Sequence, residues 1–142
     1  VMFDTEGNVL CVIDLDTVMP SLFSSDYGDF LRTAANTVAE DSAELDKIDF
    51  RMDIFRAFTR GYLETAGAFL TPLEVSLLPY AAELFPYMQC VRFLWDYVSG
   101  DHYWKCQFAE HNLVRAQNQW QLFLKAREHE EEMKEFISEC TK

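Results

Sequence analysis

Residues 73–100 read LEVSLLPYAAELFPYMQCVRFLWDYVSG, a very apolar run interrupted by Pro79 and Pro86. A proline inside a helix removes one hydrogen bond and clashes with the preceding turn. The run therefore predicts two or three helical pieces with at least one kink. Apolar residues fall on all sides of these pieces, which predicts that they form the centre of a helical core. Immediately upstream, Thr71-Pro72 is a cap followed by a first-turn proline, with Glu74 in the electropositive first turn.

Working outward towards the N-terminus, residues 50–67 (FRMDIFRAFTRGYLETAG) place Met52, Phe55, Phe58 or Thr59, and Tyr62 with Leu63 at spacings of three and four. That is one apolar face of a helix ending at Gly67. Residues 40–49 are a polar, acidic loop. Residues 30–40 (FLRTAANTVAE) read as a further helix with Asp29 as its N-cap, an acid suited to the positive end of the helix dipole. Residues 17–29, with Pro20, Gly28 and several serines, read as loop. At the start of the chain, residues 1–4 and 9–13 flank the turn-forming TEGN and predict a β-hairpin. The second run is almost continuously apolar, so it should be covered on both faces, and two strands alone are not a stable sheet. The hairpin is therefore expected to pack on the helices.

Towards the C-terminus, a turn at GDHYWK precedes a long helix from about His111, with an expected stripe of Leu113, Ala116, Trp120, Phe123 and Leu124. His111 and Asn112 read as the start of that helix. The tail, REHEEEMKEFISECTK, sets Met133, Phe136, Ile137 and Cys140 against a dense acidic face, with Glu130 and Lys134 spaced for an i,i+4 ion pair. The expected fold is mainly α: a short N-terminal β-hairpin packed on five to seven helices, in one unit over residues 1–142.

The whole chain, 142 residues with 49% apolar and 15% aromatic content, is large enough for one core. Its 24 acids against 12 bases give a net charge of -12. That balance disfavours nucleic acid or an anionic membrane as the main partner, since both demand concentrated positive charge. Any phosphate handled here would need local help, most simply a divalent cation. No apolar run approaches the ~18 residues needed to span a bilayer, and no basic-then-apolar leader is present, so a soluble cytoplasmic protein is expected. The four cysteines, Cys11, Cys90, Cys106 and Cys140, form no close pair and read as reduced, mostly buried thiols; with no tight histidine spacing either, a structural zinc site is not expected. The chain opens at Val1 inside a strand-like VMFD, which reads as a piece of a longer polypeptide.

In VLCVIDLDTV, residues 9–18, a strand-like segment finishes on Asp14 and Asp16. Residues two apart in a strand point to the same side, so two carboxylates can converge if the extended conformation persists. Magnesium is held by one or two carboxylates and completes its octahedron with waters and substrate phosphates. The pair therefore has the chemistry of a nucleotide-metal site. The alternative is that one of the acids caps the loop or pairs with an arginine such as Arg32.

NVLCVIDLDTVMP followed by DYGDFLRTAANTVAED resembles the C-terminal part of the aminoglycoside phosphotransferase and choline kinase superfamily. IDLDTVMP together with RFLWDYVSGDHYWK and HNLVRAQNQ is more specifically similar to bacterial N-acetylhexosamine 1-kinases. The resemblance implies the C-terminal lobe of a protein-kinase-like fold, with ATP as co-substrate. It assigns Asp14 to magnesium, Asp16 to an auxiliary metal or water ligand, and Asp29 to structural support of the catalytic loop, with Asp26 a looser candidate. The Gly-rich loop, strand lysine and catalytic loop of such kinases are not in this chain, so no catalytic residue is assigned on it and this portion alone is expected to be inactive. Ser21 departs from the glycine that usually follows IDLDTVMP.

The resemblance also places the acceptor pocket in the C-terminal helices. There Arg92, Asp96, Tyr97, Asp101, His102, Tyr103 and Trp104 form the richest polar-aromatic cluster. Guanidinium donors suit sugar hydroxyls, and aromatic rings suit sugar C–H groups. By similarity to the hexosamine kinases, Arg92, Tyr103 and Trp104 are the expected substrate-binding residues. Each also has a bland reading, with Arg92 and Asp96 a simple i,i+4 pair and the aromatics core under a turn. Two other functions remain open: a related phosphotransferase acting on an aminoglycoside, choline or homoserine-like acceptor, and a non-catalytic acidic helical interaction module.

Overall fold

The computed structural model describes residues 1–15 and 18–141; Asp16, the second acid of the strand-end pair, lies outside them. Thr71 behaves as its sequence dictates. Its hydroxyl accepts the Glu74 N–H at 3.3 Å while the Glu74 carboxylate accepts the Thr71 N–H at 2.7 Å, a reciprocal capping box that starts helix α3, Pro72–Ser76. Leu77 alone separates α3 from α4, Leu78–Ser99. Pro79 sits in the first turn of α4, where its missing N–H costs nothing. The helix continues past Pro86 and ends at Gly100, whose φ of 103° provides the left-handed C-cap. The apolar run is thus two helical pieces.

Four further helices complete the described architecture: α1 Ser24–Ala34, α2 Met52–Ala66, α5 His111–Glu128 and α6 Glu130–Cys140. Helix α2 begins at Met52 and ends at Gly67, on the face its periodicity predicts: Met52, Phe55 and Thr59 are buried. The core gathers Tyr27 and Leu31 of α1, Phe55 of α2, Leu78 of α4, Leu122 of α5 and Met133 of α6. Inside it the Tyr27 hydroxyl meets the Thr59 hydroxyl at 2.7 Å. Burial drives the Tyr27 phenol pKa well above its ordinary value, against the opposing effect of that bond. Helices α1 and α4 cross at Gly28, where an added Cβ would lie 2.7 Å from the Ala81 carbonyl oxygen and inside the Phe85 ring. Helices α4 and α5 run antiparallel, as the pairing of Asp96 with Asn112 and of Tyr87 with Trp120 and Phe123 shows. No helix among the described residues is long and apolar enough to cross a membrane.

Several expectations are corrected. The hairpin forms, with β1 Met2–Phe3 antiparallel to β2 Val9–Cys11, but it is not packed on the helices: both strands are exposed, with Val9 63% accessible. The core is built chiefly by the helices, from residues of α1, α2, α4, α5 and α6, and no hairpin residue enters it. Its order is local, set by Asp4, whose carboxylate accepts the N–H groups of Glu6 at 2.9 Å and Asn8 at 2.8 Å. Helix α1 starts at Ser24, five residues before the expected cap. Asp29 is consequently an exposed mid-helix residue bonded to Arg32 at 2.9 Å, not an N-cap. Arg32 also pairs with Glu40.

Helix α5 keeps only Ala116 of its expected stripe fully buried. Trp120 is exposed and Leu113, Phe123 and Leu124 are half-buried, while Asn112, Asn118, Gln119 and Leu122 are buried. Asn118 takes its buried place by holding the 36–50 loop: its amide nitrogen donates to the carbonyls of Ala39 at 3.0 Å and Ser42 at 3.2 Å, and its oxygen accepts from Asn36 at 3.0 Å. Of the thiols, which are all free, only Cys90 is buried, and Cys11 is exposed. Nor is α4 enclosed on all sides, since a whole face from Tyr80 to Val98 stands open.

Candidate functional site

Helix α4 ends in an Asp-Tyr-Val-Ser-Gly-Asp sequence that turns the backbone on itself. Gly100 (φ 103°) and Asp101 (φ 57°) are consecutive left-handed residues. Glycine takes this conformation freely, and aspartate is among the few other residues that tolerate it. The Asp101 N–H then reaches back to the Asp96 carbonyl at 2.8 Å. The next three N–H groups converge on the Asp96 carboxylate: His102 at 3.0 Å and Tyr103 at 2.9 Å on Oδ1, Trp104 at 3.0 Å on Oδ2. Asn112 of α5 donates to the same Oδ2 at 2.9 Å and to Asp101 Oδ1 at 2.9 Å. Arg115 donates to the Asn112 oxygen at 3.1 Å.

Asp96 is fully buried. Burial opposes its charge, but the N–H groups of Trp104, Tyr103 and His102, helped by the nearby His102 side chain, hold its carboxyl below the ordinary aspartate range. A charge that would be costly alone is here the acceptor for an entire loop.

This loop presents Tyr103 and Trp104 beside Arg92 of α4. The Arg92 guanidinium lies 5.0 Å from the Trp104 ring centroid, and the Tyr103 and Trp104 rings meet edge-on at 4.5 Å. Phe93 backs Trp104 at 4.8 Å, and Tyr103 stands 68% exposed. Arg92 does not pair with Asp96; it bonds to Gln89 at 3.1 Å. The result is an outward-facing ledge of one guanidinium and two rings, fixed from behind by a buried carboxylate.

The structure brings Arg92, Tyr103 and Trp104 together. It does not continue the strand as far as the acids expected to bind metal: β2 ends at Cys11, and Asp14 adopts a left-handed φ of 64°. The alternation that would aim two carboxylates alike is thus broken before the pair. Asp14 is exposed, so its charge is solvated and not buried bare. Among the described residues no cluster of three potential metal ligands occurs. One exposed carboxylate such as Asp14 suits magnesium as a minority ligand, beside waters and phosphate oxygens.

Spacing alone missed the Asp96–Asn112–Arg115 network. The one signal was a buried-type aspartate followed four residues later by Gly-Asp, a helix stop that frees N–H groups to turn inward. His111 starts α5 as expected, and is fully buried: its Nδ1 accepts the Gln107 N–H at 3.2 Å and its Nε2 faces Asp41 at 3.3 Å. It holds the 107–111 turn against the 36–50 loop. No model of a known protein family matches the chain.

Proposed function

We propose that this chain is the acceptor- and magnesium-binding portion of an ATP-dependent sugar 1-kinase, acting on the anomeric hydroxyl of an N-acetylhexosamine. The observation that carries the reading is the ledge of Arg92, Tyr103 and Trp104. Its rings offer apolar faces to sugar C–H groups, and its guanidinium offers donors to hydroxyl or acetamide oxygens. A guanidinium on the ledge disfavours cationic acceptors such as choline or an aminoglycoside. The neighbouring carboxylate of Asp96 cannot offset it, because its oxygens already accept four donors.

In this reading Asp14, with Asp16, would hold magnesium, which neutralises phosphate charge during phosphoryl transfer. The catalytic base and the nucleotide-binding loops belong to the remainder of a kinase-like domain, and the exposed apolar hairpin is a face towards it.

Nuclear magnetic resonance on the 142-residue chain tests both halves. N-acetylglucosamine is expected to shift the Tyr103 and Trp104 signals, and Arg92→Ala to abolish the effect. Choline and an aminoglycoside are expected to leave these signals unmoved. Manganese, as a paramagnetic stand-in, is expected to broaden resonances around residues 13–15, and Asp14→Asn to restore them. Sugar-independent ledge signals, or a preference for the cations, would overturn the acceptor assignment; broadening unaffected by Asp14→Asn would overturn the metal assignment.

A further inference from the structure

The open face of α4 has a regular spacing. Tyr80, Leu84, Tyr87, Val91, Leu94 and Val98 follow one another at intervals of four, three, four, three and four, the 3.5-residue repeat of a helix–helix seam. None of the six is buried, and Tyr80, Val91 and Val98 are 57%, 48% and 71% accessible. Beside them α5 contributes Leu113 and Trp120, so that an apolar cavity of about 370 Å³ lies between the two helices. A second, of about 400 Å³, adjoins it at Tyr87 and ends at Arg127 and Glu130.

The interval pattern is a palindrome centred between Tyr87 and Val91. Two antiparallel copies of α4 laid seam to seam would therefore place Tyr80 opposite Val98, Leu84 opposite Leu94 and Tyr87 opposite Val91. Each pairing sets a large side chain against a small one, or leucine against leucine. This meets the condition of a two-fold interface, in which every contact between i and j is repeated between j and i.

Area and charge point the same way. The chain exposes 9153 Å². A compact monomer of 16.6 kDa exposes about 7,600 Å². The excess, about 1,500 Å², belongs to the whole chain, the unpacked hairpin included, and leaves room for the ~800 Å² that each partner of a standard complex covers. Exposed apolar side chains concentrate in two tracts, the N-terminal segment and this face. The net charge of -12 makes two copies repel at most approaches. The cavity of about 370 Å³, however, is lined among the described residues by no charged side chain, the charges of Glu83, Arg127 and Glu130 falling in its neighbour. It is a neutral window on an acidic molecule.

We infer that this chain self-associates as a two-fold dimer through the α4–α5 face, with α4 antiparallel to its partner copy and the two helix pairs forming a four-helix layer. The helices would cross at the shallow angle typical of such seams.

Sedimentation equilibrium over about 1–100 μM tests it. The wild-type chain is expected at twice its monomer mass. Val91→Lys, which sets two ammonium groups near the axis, is expected to weaken association by about a hundredfold. Leu94→Gln is a milder second variant, expected to weaken it less. Both sites are on the surface, so unchanged circular dichroism confirms folding. Leu10→Lys, on the hairpin, is expected to leave the dimer intact. A wild-type monomer at the highest concentration overturns the inference. So does dissociation by Leu10→Lys with Val91→Lys inert, or larger assemblies that Val91→Lys does not reduce.

Discussion

Removing the carboxylate of Asp96 would strip an acceptor from three backbone N–H groups and one side-chain amide at once. Asp96→Ala is expected to lower the melting temperature by about 5–10 °C and to release Tyr103 and Trp104 from the ledge, read as a loss of near-ultraviolet circular dichroism. The acid dependence has a definite sign. The folded pKa lies below the ordinary value of 3.8, so the unfolded chain binds the proton more readily. The stabilisation is fully present above that ordinary value and is lost as pH falls towards the folded pKa. Denaturant melts between about pH 5 and about pH 3 should fall more steeply for wild type than for Asp96→Asn. The sequence named Asp96 as one of a cluster and paired it with Arg92 by spacing. It could not show the true partners, because backbone N–H groups carry no side-chain signature; only Gly100 hinted at the turn that delivers them.

Among the elements, those fixed by local chemistry were legible and those fixed by competition were not. Helix α2 and the Thr71 cap were readable because apolar spacing, a terminal glycine and a capping box act within a few residues. The start of α1 was not. Gly28 looked like loop, but it is the place where α1 comes close enough to touch Ala81 and Phe85, a requirement set by a helix more than 50 residues away. Gly28→Ala is expected to destabilise the fold by about 1–3 kcal/mol, measured by urea unfolding, because the Ala81 carbonyl cannot move aside as a side chain could. The face of α5 was misread for a related reason. Apolar periodicity gives weight to Trp120 and Phe123, whereas the loop at 36–50 needs the amide of Asn118 inside.

For the molecule as a whole, charge and surface set the behaviour. With 24 acids and 12 bases, self-repulsion opposes the compact state. Raising sodium chloride from about 10 mM to about 150 mM is expected to raise the melting temperature, since the Debye length contracts from about 30 Å to about 8 Å. A salt-independent melting temperature would show that local pairs such as Glu130 with Lys134, 2.7 Å apart, already balance the excess. The mainly helical class was evident in the sequence. The uncovered side of α4 was not, because an apolar helix facing solvent and one enclosed in a core have the same composition.

The hairpin carries the last consequence. Its strands pair with each other, and its turn is closed by Asp4 from within. Opening it would expose no core residue and break no bond that α1 or α4 depends on. In folding terms the helices from residue 24 to residue 140, which share one buried core, are expected to unfold as one unit, with the hairpin melting separately from it. In the proposed function, what fixes the position of Asp14 would come from the part of the domain that the hairpin faces.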